Sequence, residues 1–147
     1  MIIFASHIQI RMKKDIKPPE VENVGVAVVK ETNDLGDEVF NVYLINTGTT
    51  KLETVLVSSK GYGENKTTGE KIKTSVLRHG LNDVEAKSFV KIEPIIEDLF
   101  GLTNEYWVSY FIGEQMYDKK YIFLAESITD NNLINIPLIN KKGILIN

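Results

Sequence analysis

Val24-Gly25-Val26-Ala27-Val28-Val29, then Asn33-Asp34-Leu35-Gly36, then Val39-Phe40-Asn41-Val42-Tyr43-Leu44-Ile45-Asn46 has the pattern of a β-hairpin. Its period is two. Val24, Val26 and Val28 alternate with Gly25, Ala27 and Val29, and Phe40, Val42 and Leu44 alternate with Asn41, Tyr43 and Ile45. Successive side chains of a strand point to opposite faces, so each run reads as a strand with two distinct faces. Asn33-Asp34-Leu35-Gly36 between them is turn chemistry, with Gly36 suited to the left-handed position of a bulged hairpin.

Outward from this hairpin the same signals recur. Thr47-Gly48-Thr49-Thr50 turns the chain, and residues 52–59 read as a β-branched third strand. Residues 60–71 read as a polar, glycine-containing loop, 72–77 as a strand, 79–83 as a turn and 87–92 as a strand. Glu93-Pro94 predicts the start of one short helix near 94–100, because proline is tolerated at the first helical position. Ile95, Ile96, Leu99 and Phe100 follow at helical spacing and Gly101 stops it. Residues 106–113 form the most aromatic strand, 121–125 another, and 133–139 and 143–146 flank Asn140-Lys141-Lys142-Gly143, a second bulged-hairpin signature. Pro137 assigns its strand to an edge or a bulge. Eight or nine short strands with turns every eight to twelve residues predict an all-β chain folded as an antiparallel β-sandwich.

Composition narrows the function classes. The chain has 147 residues, 43% apolar and 25% charged, which is one globular domain. A net charge of −3 and only two arginines, Arg11 and Arg78, against fifteen lysines argue against nucleic acid as partner and offer no arginine cluster for phosphate. There is no cysteine, so disulfides, thiolate nucleophiles and cysteine-held metals are excluded.

Pro18-Pro19 inside the charged run 13–20 reads as a linker. It divides the chain into an N-terminal arm and linker, 1–20, and a single β-sandwich domain, 21–147. The apolar start, Met1-Ile2-Ile3-Phe4-Ala5, precedes its positive charges rather than following them, the reverse of a secretory signal. A cytoplasmic protein without membrane insertion is therefore expected, or a secreted one if a leader was removed. The apolar arm could add as a strand to a sheet edge, in a homodimer by exchange.

Tyr43-Leu44-Ile45-Asn46-Thr47-Gly48, followed by Leu52, Val55 and Val57 and by Gly80 before Phe89-Val90, resembles the asparagine-x-glycine pattern of bacterial immunoglobulin-like modules. The resemblance covers about residues 38–92 and implies an immunoglobulin-like sandwich in which Asn46-x-Gly48 makes the tight turn after an inner strand. The paired cysteines of immunoglobulin domains are absent. A fainter resemblance, over about 39–128, is to the uncharacterised sandwich domain found beside Smr domains in Bacteroidetes proteins. No Smr portion is present, so it implies no activity.

Chemistry-bearing residues are sparse. His7 and His79 lie 72 positions apart with no Gly-x-Ser-x-Gly elbow. Asp34, Asp37 and Glu38 lack EF-hand spacing, and Glu93, Glu97 and Asp98 read as the acidic first turn of the helix. Gly61-Tyr62-Gly63 lacks the third glycine of a dinucleotide fingerprint. No catalytic residue, metal ligand or cofactor is assigned. The aromatics stand out. If Trp107 and Phe111 point inward, Tyr106 and Tyr110 form an outward row, joined by Tyr43 or Tyr121. Tyr43, Tyr62, Tyr106, Trp107, Tyr110 and Tyr121 are thus the expected ligand or partner surface. The expected function is a non-enzymatic interaction module whose partner is a protein or a second copy. A carbohydrate- or small-ligand-binding sandwich is the alternative, and a hydrolase with an unrecognised site the second alternative.

Overall fold

A computed structural model describes residues 18–147; the expected arm, and the part of its linker up to residue 17, lie outside the described residues. Ten strands follow one another: β1 (Val24–Thr32), β2 (Glu38–Asn46), β3 (Leu52–Glu64), β4 (Lys71–Lys73), β5 (Leu77–Val84), β6 (Ser88–Ile95), β7 (Thr103–Ile112), β8 (Gln115–Phe123), β9 (Ile134–Asn135) and β10 (Lys142–Ile146). They form two antiparallel sheets rather than a barrel. The first sheet has the order β6-β2-β1-β10-β9. The second runs β3-β7-β8, with β4 and β5 sharing the far edge of β3: β4 pairs its end at Tyr62–Glu64 and β5 its beginning at Leu52–Ser59.

Both sheets contribute to one core, giving a two-layer, sandwich-like arrangement. Val26, Val28, Val42 and Leu44 face Val55, Val57, Tyr106, Val108, Tyr110 and Phe123. Each such side chain, when fully buried, contributes roughly 1.5–3 kcal/mol. The β1 run is apolar at every position because both its faces are covered. Ala27 and Val29 point away from the main core into a small second cluster with Ile45 and Ile136, under the loop that joins β9 to β10. Gly143 lets β10 lie against β1: a Cβ there would collide with the Val28 carbonyl oxygen. Its role is this close approach, while the positive φ values of that turn fall on Leu138 and Asn140.

The β1–β2 turn follows the sequence reading. Gly36 takes φ +84°, and Asn33 Oδ1 accepts the backbone N–H groups of Leu35 and Asp37 at 3.0 and 2.9 Å. Asn46, fully buried, donates from Nδ2 to the carbonyls of Thr50 and Glu85 and accepts from Gly48 N at 3.0 Å. One side chain thus ties together the β2–β3 and β5–β6 corners.

The expected helix near 94–100 is not formed. Glu93, Pro94 and Ile95 belong to β6, and only a 3-10 turn, Glu97–Leu99, follows. β6 is an edge strand, where a residue without an N–H leaves no gap in the ladder. The periodicity of Ile95 and Phe100 also satisfies a strand that bends into a turn. The expected loop 60–71 is shorter, since β3 continues to Glu64 and a turn at 65–70 leads into β4. The expected turn at 79–83 lies within β5, whose ladder to β3 outcompetes the local turn tendency of Gly80-Leu81-Asn82-Asp83. The expected strand 133–139 shrinks to Ile134–Asn135 ahead of Pro137.

A bulge in β3 sets which side chains face outward. Register slips between Leu52 and Val55, and Thr54 sits at φ +49° with its N–H held by Asp83 Oδ1 at 3.1 Å. The extra residue allows Leu52, Val55 and Val57 all to be buried and turns Leu56 to solvent.

At the other end of the molecule, Glu31 fastens the β9–β10 turn. Its carboxylate accepts from Lys141 Nζ, Tyr43 Oη and Asn41 Nδ2 at 2.6, 2.6 and 2.8 Å. Burial pushes the Glu31 carboxyl up, but these three donors outweigh it and hold it below its ordinary 4.5. A lowered folded value means stabilisation that is complete above the unfolded value and lost as pH falls through the folded one. Glu31→Gln should therefore unfold at a lower temperature than wild type near pH 7, and the gap should close as the pH falls below the ordinary 4.5. A gap independent of pH would show that the carboxylate charge contributes nothing.

Candidate functional site

The aromatic strand β7 has the opposite phase to the expected one. Tyr106 and Tyr110 are buried and point inward, whereas Trp107 (45% exposed) and Phe111 (38%) point outward. Tyr121, paired with Tyr106 across β8, is also fully buried. The inner face can take the tyrosines because their hydroxyls find partners there. Tyr106 Oη donates to Glu93 Oε2 at 3.0 Å, and Tyr121 Oη to the Val24 carbonyl at 2.8 Å. Burial pushes both hydroxyls' ionisation upward, with Glu93 reinforcing it for Tyr106 and Tyr110 for Tyr121. Tyr110 stacks on Tyr117, centroids 5.3 Å apart, and burial with that neighbour pushes it up to about 12. Tyr106, Tyr110 and Tyr121 are therefore core residues and present no outward row.

Of the other expected site residues, Tyr43 lies on the outer side of the first sheet, edge-on to Phe89, with its hydroxyl on Glu31. Burial and that carboxylate push it up to about 12. Tyr62 lies on the outer face of the second sheet, its hydroxyl 3.4 Å from Glu105, beside a broad hollow of about 580 Å³ bordered by Lys60, Lys71 and Lys73. Trp107 lies further along that same outer face. The six expected residues are thus spread over three environments, and only Tyr62 and Trp107 share a surface.

The outer face of the second sheet gathers residues that the sequence reading did not single out. Leu56, Met116 and Ile122 are 52%, 47% and 38% exposed there, beside Trp107 and Phe111. Ser58, Gly80 and Ser109 form low ground between them, leaving an open groove of about 330 Å³ with Arg78 and Asp118 at its sides. Lys120 Nζ stands 4.7 Å from the centre of the Trp107 ring, a cation–π contact that leaves the ammonium in water.

A second constellation lies between the sheets at the β5–β6 edge. Glu93 Oε1 accepts from Ser59 Oγ at 2.8 Å and lies 2.7 Å from His79 Nε2, while Oε2 takes the Tyr106 hydroxyl. Serine, histidine and a carboxylate are all present, but in the wrong order for nucleophile activation. In a hydrolase triad the imidazole stands between carboxylate and hydroxyl, whereas here the carboxylate stands between the other two. Ser59 is bonded to an acceptor that is already shared, and its geometry is that of a tie joining β3, β5 and β7 to β6.

Among the described residues no three histidine, aspartate or glutamate side chains converge as a metal site. Asp34 and Asp37 belong to the β1–β2 turn, and Glu38 pairs with Lys30 at 3.3 Å. No helix among the described residues is long and apolar enough to cross a membrane. Comparison with protein-family models gives no match, and neither does comparison with curated proteins.

Proposed function

We propose that this chain is a non-enzymatic interaction module, immunoglobulin-like in its strand order, that docks a protein through the outer face of the second sheet. The immunoglobulin-like reading is supported by the grouping of β1, β2 and β6 in one sheet and β3, β7 and β8 in the other. That grouping matches strands A, B and E against C, F and G of such sandwiches, with β5 switched to the edge of β3. The Asn46–Gly48 contact at the β2–β3 corner fits the same reading.

Five large apolar side chains, Leu56, Trp107, Phe111, Met116 and Ile122, are exposed on one face that no other described residue covers, and they support the docking surface. Leucine, methionine and isoleucine beside two aromatics match a protein interface, which is enriched in tryptophan, phenylalanine and methionine. Strand addition at an edge is a weaker fit. β8 carries Asp118, Lys119 and Lys120 along its length, β6 contains Pro94 and β9 precedes Pro137, all features that discourage edge pairing.

Carbohydrate binding is the second reading, favoured by Trp107 and Phe111 on one face with the small Ser109 between them. Paired capture experiments with wild type and Leu56→Glu separate the two. Leu56 is half-exposed, so the variant should melt within about 0.5 kcal/mol of wild type. Wild type should retain bound proteins that Leu56→Glu loses. Identical retention by both, counting further copies of this chain among the bound proteins, or quenching of Trp107 emission by glycans, would overturn the docking reading.

A further inference from the structure

We propose, resting on the docking reading above, that the partner of this face is a second copy of the same chain, stacked through a two-fold axis. The strand register lays the face out in rows. One row reads Gly80, Leu56, Ser109, Asp118 across β5, β3, β7 and β8. The next reads Arg78, Ser58, Trp107, Lys120 on the same four strands. Large and small side chains are therefore exchanged between the two rows on β5, β3 and β7, and on β8 the charge is exchanged, Asp118 standing beside Lys120.

A two-fold axis lying in the interface, perpendicular to the strands and between these rows, places each row over the other. Trp107 then meets the partner's Ser109, Leu56 meets the partner's Ser58, and Asp118 meets the partner's Lys120. The outer rows follow the same rule on β8, where Met116 meets the partner's Ile122. Phe111 falls over the partner's Glu105, a carboxylate already turned onto Lys60 and Tyr62. Every match occurs twice, as an isologous interface requires. The other in-plane axis, along the strands, would set Lys120 over the partner's Arg78, so charge selects the first arrangement. Aligned packing of two sheets about 10 Å apart accommodates it.

The area is small. Four strands about 4.8 Å apart and four rows about 6.8 Å apart cover about 500 Å² of each copy, or about 1,000 Å² together. That is the lower limit for a specific interface and implies a weak dimer. Within the described residues neither Asp118 nor Lys120 is in an ion pair, so both charges remain available to a partner.

Sedimentation equilibrium of the full chain from about 5 µM to about 1 mM tests the arrangement. Wild type should rise from 16.6 kDa toward twice that mass. Asp118→Lys alone and Lys120→Asp alone each put two like-charge pairs in the interface and should weaken association at least about tenfold. An equimolar mixture of these two variants restores both opposite-charge pairs and should recover the wild-type association. Both charges are exposed, and matching melting temperatures establish that the variants are folded. A wild type that stays monomeric throughout overturns the second copy as partner, while Leu56-dependent capture of another protein would leave the broader docking reading standing. Single variants that associate as wild type does, or a mixture that fails to recover, overturn the two-fold register.

Discussion

Gly143→Ala should cost about 3 kcal/mol and release the last two strands. The added Cβ would meet the Val28 carbonyl oxygen, with Ile136 Cγ1 and Val29 Cα at 3.0 and 3.1 Å. Two of these three neighbours are backbone atoms of a central strand and cannot rotate away. Overpacking a core typically costs 1–3 kcal/mol, and contact with backbone belongs at the upper end. The strain has a local outlet, because among the described residues β10 pairs only with β1 and the two-residue β9. Lifting them would uncover Ala27, Val29 and Ile45. Hydrogen exchange should show lost amide protection in Lys142–Ile146 and little change in β7, which lies in the other sheet. A variant that melts with wild type would mean that β10 does not lie this close to β1.

The second large effect is at Glu93. Glu93→Ala removes the acceptor shared by Ser59, His79 and Tyr106, one of whose hydroxyls is fully enclosed. A buried donor left without a partner costs about 1–3 kcal/mol, and three donors lose theirs here, so a total of about 3–4 kcal/mol is expected. Glu93→Gln keeps the shape but turns an N–H₂ toward one set of donors, and should cost about 1–2 kcal/mol. The pair Glu93→Ala and Tyr106→Phe isolates one link. Once the hydroxyl is gone its unpaired state costs nothing, so the double variant should be more stable than the sum of the singles by about 1 kcal/mol. Strict additivity would show that the tie between the sheets is not made through Tyr106.

Much of the fold was legible because strand alternation and turn chemistry are local. The β1–β2 hairpin and the turn at Gly36 follow from residues within a few positions of one another. Where local signals pointed elsewhere, a distant partner decided. Gly80-Leu81-Asn82-Asp83 has turn chemistry but pairs with β3, about 25 positions away. Glu93-Pro94 resembles a helix start, yet Glu93 is drawn into a strand that faces donors on three other strands. The Thr54 bulge that turns Leu56 outward has no glycine to announce it.

The phase of β7 is the point where sequence and structure part. In β7 the alternation gave two faces but not which of them is inside. The answer was present in the polar residues: Glu105 and Ser109 share the face of Trp107, whereas Val108 and Ile112 share that of Tyr106 and Tyr110. Weighing the whole face rather than its aromatics selects the tyrosine side as core. Leu56, Met116 and Ile122 come together only through the register of β3, β7 and β8, which periodicity does not contain.

Trp107 stands half-exposed on the outer face of the second sheet while the tyrosines of its strand are inside. Trp107 is the single tryptophan, so its emission and its quenching by acrylamide report this directly. In dilute solution, where a weak dimer dissociates, the emission should be red-shifted and efficiently quenched. Blue-shifted emission that acrylamide does not reach at the same dilution would contradict it, placing Trp107 in the core and turning Tyr106 and Tyr110 outward.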